Sequence, residues 1–178
     1  MPEWITTSLG DLVAFQKGRK VSTSDYPLDG FSEYLGAGKL SGSFDGDAST
    51  HSAVQAEQSD ILMLWDGERS GLCQTGLSGV VSSTVCKLTP TDSIDGRFLY
   101  YVLALRFGWI QHRRTGTGVP HVPKDLGRIL LVSFPKRKSE QEKIVRIMQA
   151  IDQAIEKTEA LIDKYQQIKA GLMHDLFT

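Results

Sequence analysis

The chain has 178 residues, of which 40% are hydrophobic and 23% are charged, and its formal net charge is −1 at pH 7. This length and composition predict one ordinary globular domain, or one domain with an appendage, that needs no disulfide or metal for stability. No apolar run approaches the roughly 18 residues of a membrane span, and the first ten residues lack the pattern of a secretory signal. We therefore expect a soluble protein with no membrane partner.

The charge balance does not by itself favour a nucleic-acid partner. Residues 1–138 carry 15 basic and 14 acidic side chains, and residues 139–178 carry 5 basic and 7 acidic ones. If DNA is the ligand, the affinity must come from clustered basic loops or from other subunits. The two cysteines, Cys73 and Cys86, form no CxxC pair, and we expect buried, reduced thiols in a cytoplasmic protein.

Short apolar runs separated by glycines characterise the first 135 residues. Three runs predict strands or buried β segments joined by turns, at 60–65 (DILMLW), 79–88 (GVVSSTVCKL) and 128–134 (RILLVSF). Fifteen of the 17 glycines precede residue 120, which is typical of a loop-rich β domain. Between the runs, residues 97–109 have helical apolar spacing and predict a core helix whose aromatic rings serve packing.

The apolar period changes after Pro135. Ser139 is followed three residues later by Glu142, a capping-box pattern that predicts a helix over 139–178. Apolar residues then recur every seven positions in adjacent rows, and no proline or glycine interrupts them before Gly171. We call these residues the apolar stripe: Ile144, Ile147, Met148, Ile151, Ala154, Ile155, Leu161, Ile162, Tyr165, Ile168 and Leu172.

Forty residues at 1.5 Å rise predict a helix of about 60 Å. A domain of about 138 residues has a radius of gyration near 14 Å, too small to cover such a stripe. We therefore expect the stripe to face another helix, and folding back onto its own domain is the alternative.

Motifs for intrinsic catalysis are missing from the sequence. Residues 36–40 (GAGKL) lack the first glycine and the hydroxyl residue of a phosphate-binding loop, and the four histidines show no metal-ligand spacing. Nothing resembles a methyl-donor pocket or a base-methylating motif. Asp66 and Glu68 could bind a cation, but an isolated acidic turn is usually solvated. We expect no enzymatic activity and no cofactor.

Several motifs follow one another in a characteristic order. The most specific is the hydrophobic strand ending at Pro135, followed by Glu140-Gln141 at a helix start. The others, in chain order, are Trp4, 9–12 (LGDL), Gly18, 59–64 (SDILML), the 66–71 turn (DGERSG), 79–88, 98–105, the 115–122 loop (TGTGVPHV) and 171–178 (GLMHDLFT). Together, in this order, they resemble one known family, the specificity (S) subunits of type I restriction–modification systems.

The resemblance implies an α+β fold: a β-rich target recognition domain (1–138), then one long helix (139–178) in an antiparallel coiled coil with a partner. It also implies a non-catalytic subunit that binds double-stranded DNA, with methyltransferase (M) subunits that bring the methyl donor and a translocating restriction (R) subunit. Typical members carry two recognition domains and two helices, whereas this sequence carries one of each. It is either a half-subunit that dimerises through the helix or a fragment of a two-repeat chain.

Basic side chains in loops are the candidates for contacts with DNA, because an arginine can read a guanine edge and a phosphate contact fixes position. The seven candidates are Lys17, Arg19, Lys20, Lys39, Arg69, Arg113 and Arg114. The run Lys136-Arg137-Lys138 could meet phosphate or a methyltransferase subunit, and Pro120 and His121 are expected to shape a turn where the domain joins the helix. The alternative function is a homodimeric coiled-coil adaptor whose globular domain binds protein.

Overall fold

The structure is a computed structural model, and it describes residues 3–177. The chain divides into two compact units between Gln141 and Glu142. Within the described residues, no helix is both long enough and apolar enough to cross a membrane. The predicted mixed α+β fold with a long C-terminal helix is confirmed.

The described part of the first unit, residues 3–141, contains eleven strands in three sheets and five short helices that precede the long C-terminal helix. The strands are β1 (Trp4–Ser8), β2 (Val13–Lys17), β3 (Thr23–Ser24), β4 (Phe31–Leu35), β5 (Asp47–Ser49), β6 (Gln55–Ala56), β7 (Ile61–Leu64), β8 (Cys73–Thr75), β9 (Gly79–Val81), β10 (Val85–Pro90) and β11 (Leu131–Pro135). The helices are α1 (Leu9–Leu12), α2 (Ala37–Leu40), α3 (Gly96–Leu105), α4 (Phe107–Gln111) and α5 (Leu126–Ile129). The sheets have the orders β1-β11, β2-β10-β7-β8 and β3-β5-β4-β9-β6.

Strand β7 lies inside the four-stranded sheet, antiparallel to β10 on one side and to β8 on the other. All four of its residues are buried, which explains why the run at 60–65 is continuously apolar instead of alternating. Asp60, just before β7, is also buried, but its carboxylate accepts hydrogen bonds from Thr89 Oγ1 (2.6 Å) and the Glu57 backbone N–H (2.9 Å). Because both oxygens are bonded, this carboxylate can remain in the core.

The single strand predicted over 79–88 is wrong, because the structure divides it into β9 and β10, which belong to different sheets. A turn separates them, closed by the Val85 N–H donating to Ser82 O at 2.9 Å. The Ser82 hydroxyl accepts a further hydrogen bond from the Thr84 N–H at 3.3 Å. Serine and threonine side chains compete in this way with the sheet for backbone groups, so the apolar run is interrupted at its polar centre.

The core helix predicted over 97–109 is confirmed in place but is broken at Arg106, where α3 ends and α4 begins. The strand predicted over 128–134 begins at Leu131, because Arg128 and Ile129 complete the short helix α5. In both cases the apolar spacing located the segment and missed a change of direction within it.

The long helix α6 spans Lys138–Phe177. The predicted capping box is wrong, because Ser139 lies inside the first turn and the carbonyl of Arg137 accepts from the Glu140 N–H at 3.0 Å. Gln141, which belongs to the first unit, is fully buried and donates to Pro135 O at 2.8 Å. Its Oε1 accepts from the Asp95 N–H at 2.7 Å, so this amide fixes the first turn of α6.

Beyond Gln141 the helix displays most of the apolar stripe to solvent. Ile151 and Ile155 are 49% and 50% exposed, and Tyr165 is 62% exposed. Ala150 and Ala154 form a shallow strip between the isoleucines. Such alternation of small and large side chains is the surface that a second helix packs against.

Candidate nucleic-acid interface

The turn at 66–71, between β7 and β8, brings several of the predicted basic residues together. Asp66 opens the turn, and its carboxylate accepts from Lys17 Nζ at 2.7 Å and from His121 Nδ1 at 2.8 Å. His121 also forms isolated β-bridges with Asp66 and with Thr115. The carboxylate therefore joins the end of β2 to the 115–122 loop.

This contact gives Asp66 and His121 roles that differ from those predicted from the sequence. Asp66 holds two basic side chains, which satisfies the charge that could have bound a cation. His121 does shape a turn, as expected, but its partners are Thr115 and Asp66 in the middle of the domain. The Gly67 N–H adds a hydrogen bond to Pro120 O at 2.9 Å, so the base of the loop is held on both sides.

Arg114 and Gln111 hold the same turn by its backbone. Arg114 Nη1 donates to Glu68 O at 2.6 Å, and its Nε donates to Gln111 O at 2.9 Å. Gln111 Nε2 donates to Ser70 O at 2.6 Å. On the other side of the turn, Arg69 Nη1 donates to Ser41 Oγ at 2.9 Å. The structure thus gives Arg114 and Arg69 partners within the domain.

Lys39 lies in α2 and forms an ion pair with Glu33 at 2.5 Å. Asp45 Oδ2 accepts from the Lys39 backbone N–H at 2.9 Å. The ion pair with Glu33 lowers the net positive potential that the Lys39 ammonium contributes to the surface. Of the seven predicted DNA contacts, Lys39 and Lys17 are the two that form an ion pair with a carboxylate among residues 3–177.

Arg19 and Lys20 lie on the loop that follows β2 and line an open, polar cavity of about 530 Å³ together with His51 and Ser52. Gly18 fixes the start of this loop, because its N–H donates to Val85 O at 3.0 Å. A Cβ at position 18 would overlap the carbonyl oxygens of Val81 and Ser82, so only glycine fits. Within residues 3–177, neither Arg19 nor Lys20 has a carboxylate partner.

Arg113 lies two residues after the end of α4 and is exposed. Its Cζ lies 3.8 Å from the centre of the Trp109 ring, and its Nη1 donates to Trp109 O at 3.3 Å. The Arg113 guanidinium therefore lies over the indole, where a cation–π contact and one hydrogen bond restrain its side chain.

A second cavity of about 540 Å³ lies beside Lys17 and is lined by an aromatic pair. The rings of Phe15 and Trp65 meet edge to face, with centroids 6.0 Å apart. Cys86 reaches the same cavity, but burial raises the pKa of its thiol to about 11, against smaller opposing effects of the Gln16 backbone and the Lys17 charge. The thiol is protonated at neutral pH and is no nucleophile.

Of the three basic residues that lead into α6, one has a carboxylate partner and the other two are exposed. Lys136 Nζ lies 3.3 Å from Glu3 Oε1, and the Lys136 N–H donates to Glu3 O at 2.9 Å. Arg137 and Lys138 are exposed. These contacts attach the N-terminal strand region to the segment that leads into the helix.

Sequence reasoning missed three of the pairings that organise this candidate interface. The Trp109–Arg113 pair had a readable signal, since residues four apart share a helix face. Asp66 and His121 are 55 residues apart and had no local signal. The same holds for His51 beside Arg19, because only the fold brings their loops together.

A family model described as the type I restriction modification DNA specificity domain matches residues 1–167. A curated relative, the type I restriction enzyme MjaVIII specificity subunit of Methanocaldococcus jannaschii, is 32% identical over 183 aligned positions, which cover 99% of this chain and 42% of the relative.

Two solved structures share the fold. The S subunit of the type I restriction-modification system from M. genitalium has a TM-score of 0.72 at 22% identity, covering 99% of this chain and 46% of that one. A chain from a structure described as the basis of complex assembly and conformational transition of the type I R-M system has a TM-score of 0.68 at 19% identity, covering 87% and 40%. This chain thus spans less than half the length of each of these relatives. The family model confirms the resemblance, and the chain belongs to the family of type I restriction–modification DNA specificity domains.

Proposed function

We propose that this chain reads one half of a split DNA sequence as the specificity component of a type I restriction–modification complex. The observation that carries the proposal is the match of residues 1–167 to the DNA specificity family. The basic loops of the domain support it, because DNA recognition needs cations that reach base edges and phosphates.

The seven basic residues divide into two roles in this proposal. The direct contacts are the three whose charged groups are least engaged by the domain itself: Arg19, Lys20 and Arg113. The other four hold the loops in place: Lys17, Lys39, Arg69 and Arg114. The proposed recognition domain comprises residues 1–138, and the helix over 139–178 sets the distance to a second recognition domain.

The proposed partner of the apolar stripe is the same helix of a second copy, in an antiparallel coiled coil. A two-fold axis lets one self-complementary surface cover both stripes. Two such domains at opposite ends of a rod of about 60 Å would read inverted half-sites separated by a fixed spacer.

We propose that methyltransferase subunits dock on this dimer and bring the methyl donor, and that a restriction subunit joins them. The chain itself is proposed to be non-catalytic. Its two thiols are buried and free, which fits a reducing compartment such as the cytoplasm.

One observation favours a second candidate, a homodimeric adaptor whose domain binds protein. Two loops expose large apolar side chains, with Tyr26 at 76%, Leu28 at 54% and Phe44 at 66%. Asp25 and Asp29 flank Tyr26 and Leu28 and are exposed. An acidic apolar surface suits a basic protein partner better than a phosphate backbone.

Selection from a library of random DNA duplexes tests the proposal. The full chain should enrich one sequence motif, and Arg19→Ala should weaken binding. Arg97→Ala, which changes an exposed residue of α3, should leave binding unchanged. If Arg19 contacts only phosphate, the affinity should fall equally for all DNA sequences. The slope of log affinity against log salt concentration should then decrease in magnitude by about one. Enrichment of no motif would refute DNA reading and favour the adaptor.

A further inference from the structure

Helix α4 places an arginine on an indole ring at the edge of the domain. The guanidinium carbon of Arg113 lies 3.8 Å from the centre of the Trp109 ring, and Nη1 donates to Trp109 O. Only this one hydrogen bond of the Arg113 side chain is formed within residues 3–177, so Nε and Nη2 remain available as donors.

The end of α4 and the residues that follow it are fixed to the 66–71 turn. Ile110 is fully buried, and its side chain fills the space beside Gly71, where a Cβ would meet it at 2.7 Å. The next residue, Gln111, donates to Ser70 O, and Arg114 donates to Glu68 O. Arg113 therefore extends from a rigid support, although it is itself exposed.

We infer that Trp109 is a positioning residue that holds Arg113 ready to read a guanine. This inference rests on the proposed DNA-reading function. Two adjacent donors of a planar guanidinium match the O6 and N7 acceptors of guanine in the major groove. A stacked guanidinium has already lost much of its rotational freedom, so less entropy is lost when it binds the base.

The test is selection from the random duplex library with five full-length chains: wild type, Arg113→Lys, Trp109→Leu, Trp109→Phe and Arg106→Lys. Lysine keeps the charge but loses the paired donors. Leucine removes the aromatic face, and phenylalanine restores one. Arg106, exposed between α3 and α4, is the matched control.

We expect Arg113→Lys to lose preference for guanine at one position of the motif by roughly ten- to a hundredfold, with an unchanged salt slope. Trp109→Leu should weaken the same preference by about two- to fivefold, the worth of an exposed cation–π contact. Trp109→Phe should retain most of it, and Arg106→Lys should change nothing. Thermal melts identify any variant that is merely destabilised, in which case Trp109→Phe decides the role of the ring.

The inference fails if wild type selects a motif that Arg113→Lys leaves intact, or if the lost position is not guanine. It also fails if Trp109→Leu and Trp109→Phe both retain full guanine preference, since the ring would then have no positioning role. In these cases the proposed function stands. If wild type selects no motif, the proposed function itself is wrong.

Discussion

The two units of this chain differ in where their apolar side chains lie: the first unit buries most of them, and the second exposes them. In the first unit, strands such as β7 and β10 bury their side chains within the same chain, and even Asp60 has partners for its carboxylate. In the helix beyond Gln141, the apolar stripe is half exposed along its length. The first unit thus buries its apolar side chains within itself, whereas the helix exposes an apolar surface that we propose binds a partner. Substitutions in the two units should therefore have different effects. Variants of the apolar stripe should change the association of chains, and variants of the domain should change its folding and its binding to DNA.

The largest effect is expected from Ile151→Asp combined with Ile155→Asp. In a dimer, four carboxylates would lose water without gaining a partner, at a cost of several kcal/mol. We expect monomers whose recognition domain still folds, measured by sedimentation at micromolar concentration and by thermal unfolding.

The matched control is Gln153→Asp with Ala160→Asp, which adds the same charge to the opposite, exposed face of the helix. It should leave association unchanged. If the wild-type chain sediments as a monomer, the proposed homodimer is wrong. The partner of the apolar stripe would then be a second repeat or another subunit.

A smaller effect, confined to the domain, is expected from Gly18→Ala. The added methyl group would overlap the Val81 and Ser82 carbonyl oxygens, which forces the Arg19–Lys20 loop away from its place. Overpacking of this kind typically lowers the free energy of unfolding by about 1–3 kcal/mol. Urea titration should detect the loss, and DNA binding should weaken without any change in sedimentation.

Gly108→Ala serves as the comparison, since nothing lies within 4 Å of a Cβ at that position. It should retain or slightly raise stability, because alanine favours a helix more than glycine does. Equal stability of Gly18→Ala and wild type would show that the loop is not held where the structure places it.

The smallest effect concerns the buried thiols. Because burial raises the pKa of Cys86 from 9.0 to about 11, the unfolded chain releases this proton first as pH rises. The contribution of Cys86 to stability is complete below pH 9 and declines between pH 9 and 11. At pH 8 a thiol reagent should label neither cysteine in the folded protein and both in denaturant. Rapid labelling of the folded chain would mean that the core around β8 and β10 opens readily.

The long helix, its stripe and the mixed fold could be predicted because each depends on local periodicity. The same local signal missed the breaks within these segments, at Ser82 between β9 and β10 and at Arg106 between α3 and α4. Residue type alone predicted a helix cap at Ser139, but the chain geometry after Pro135 starts the helix one residue earlier.

The candidate site was less predictable than the fold. Basic residues in loops are visible in a sequence, but their partners are not, because Lys17 and Asp66 are 49 residues apart. Judged by charge alone, Lys39 and Arg19 fell into one group of candidates. In the structure Lys39 forms an ion pair with Glu33, whereas Arg19 has no carboxylate partner among residues 3–177. Separating structural cations from available ones needed the tertiary contacts.

The way the 66–71 turn is held has an evolutionary consequence. Arg114 and Gln111 bind the backbone carbonyls of Glu68 and Ser70, and every residue type supplies such a carbonyl. The exposed side chain at position 68 can therefore change while the turn keeps its place, whereas Arg69 also holds the turn through its side chain. A lineage under pressure to recognise new sequences could explore substitutions here without first losing a folded protein.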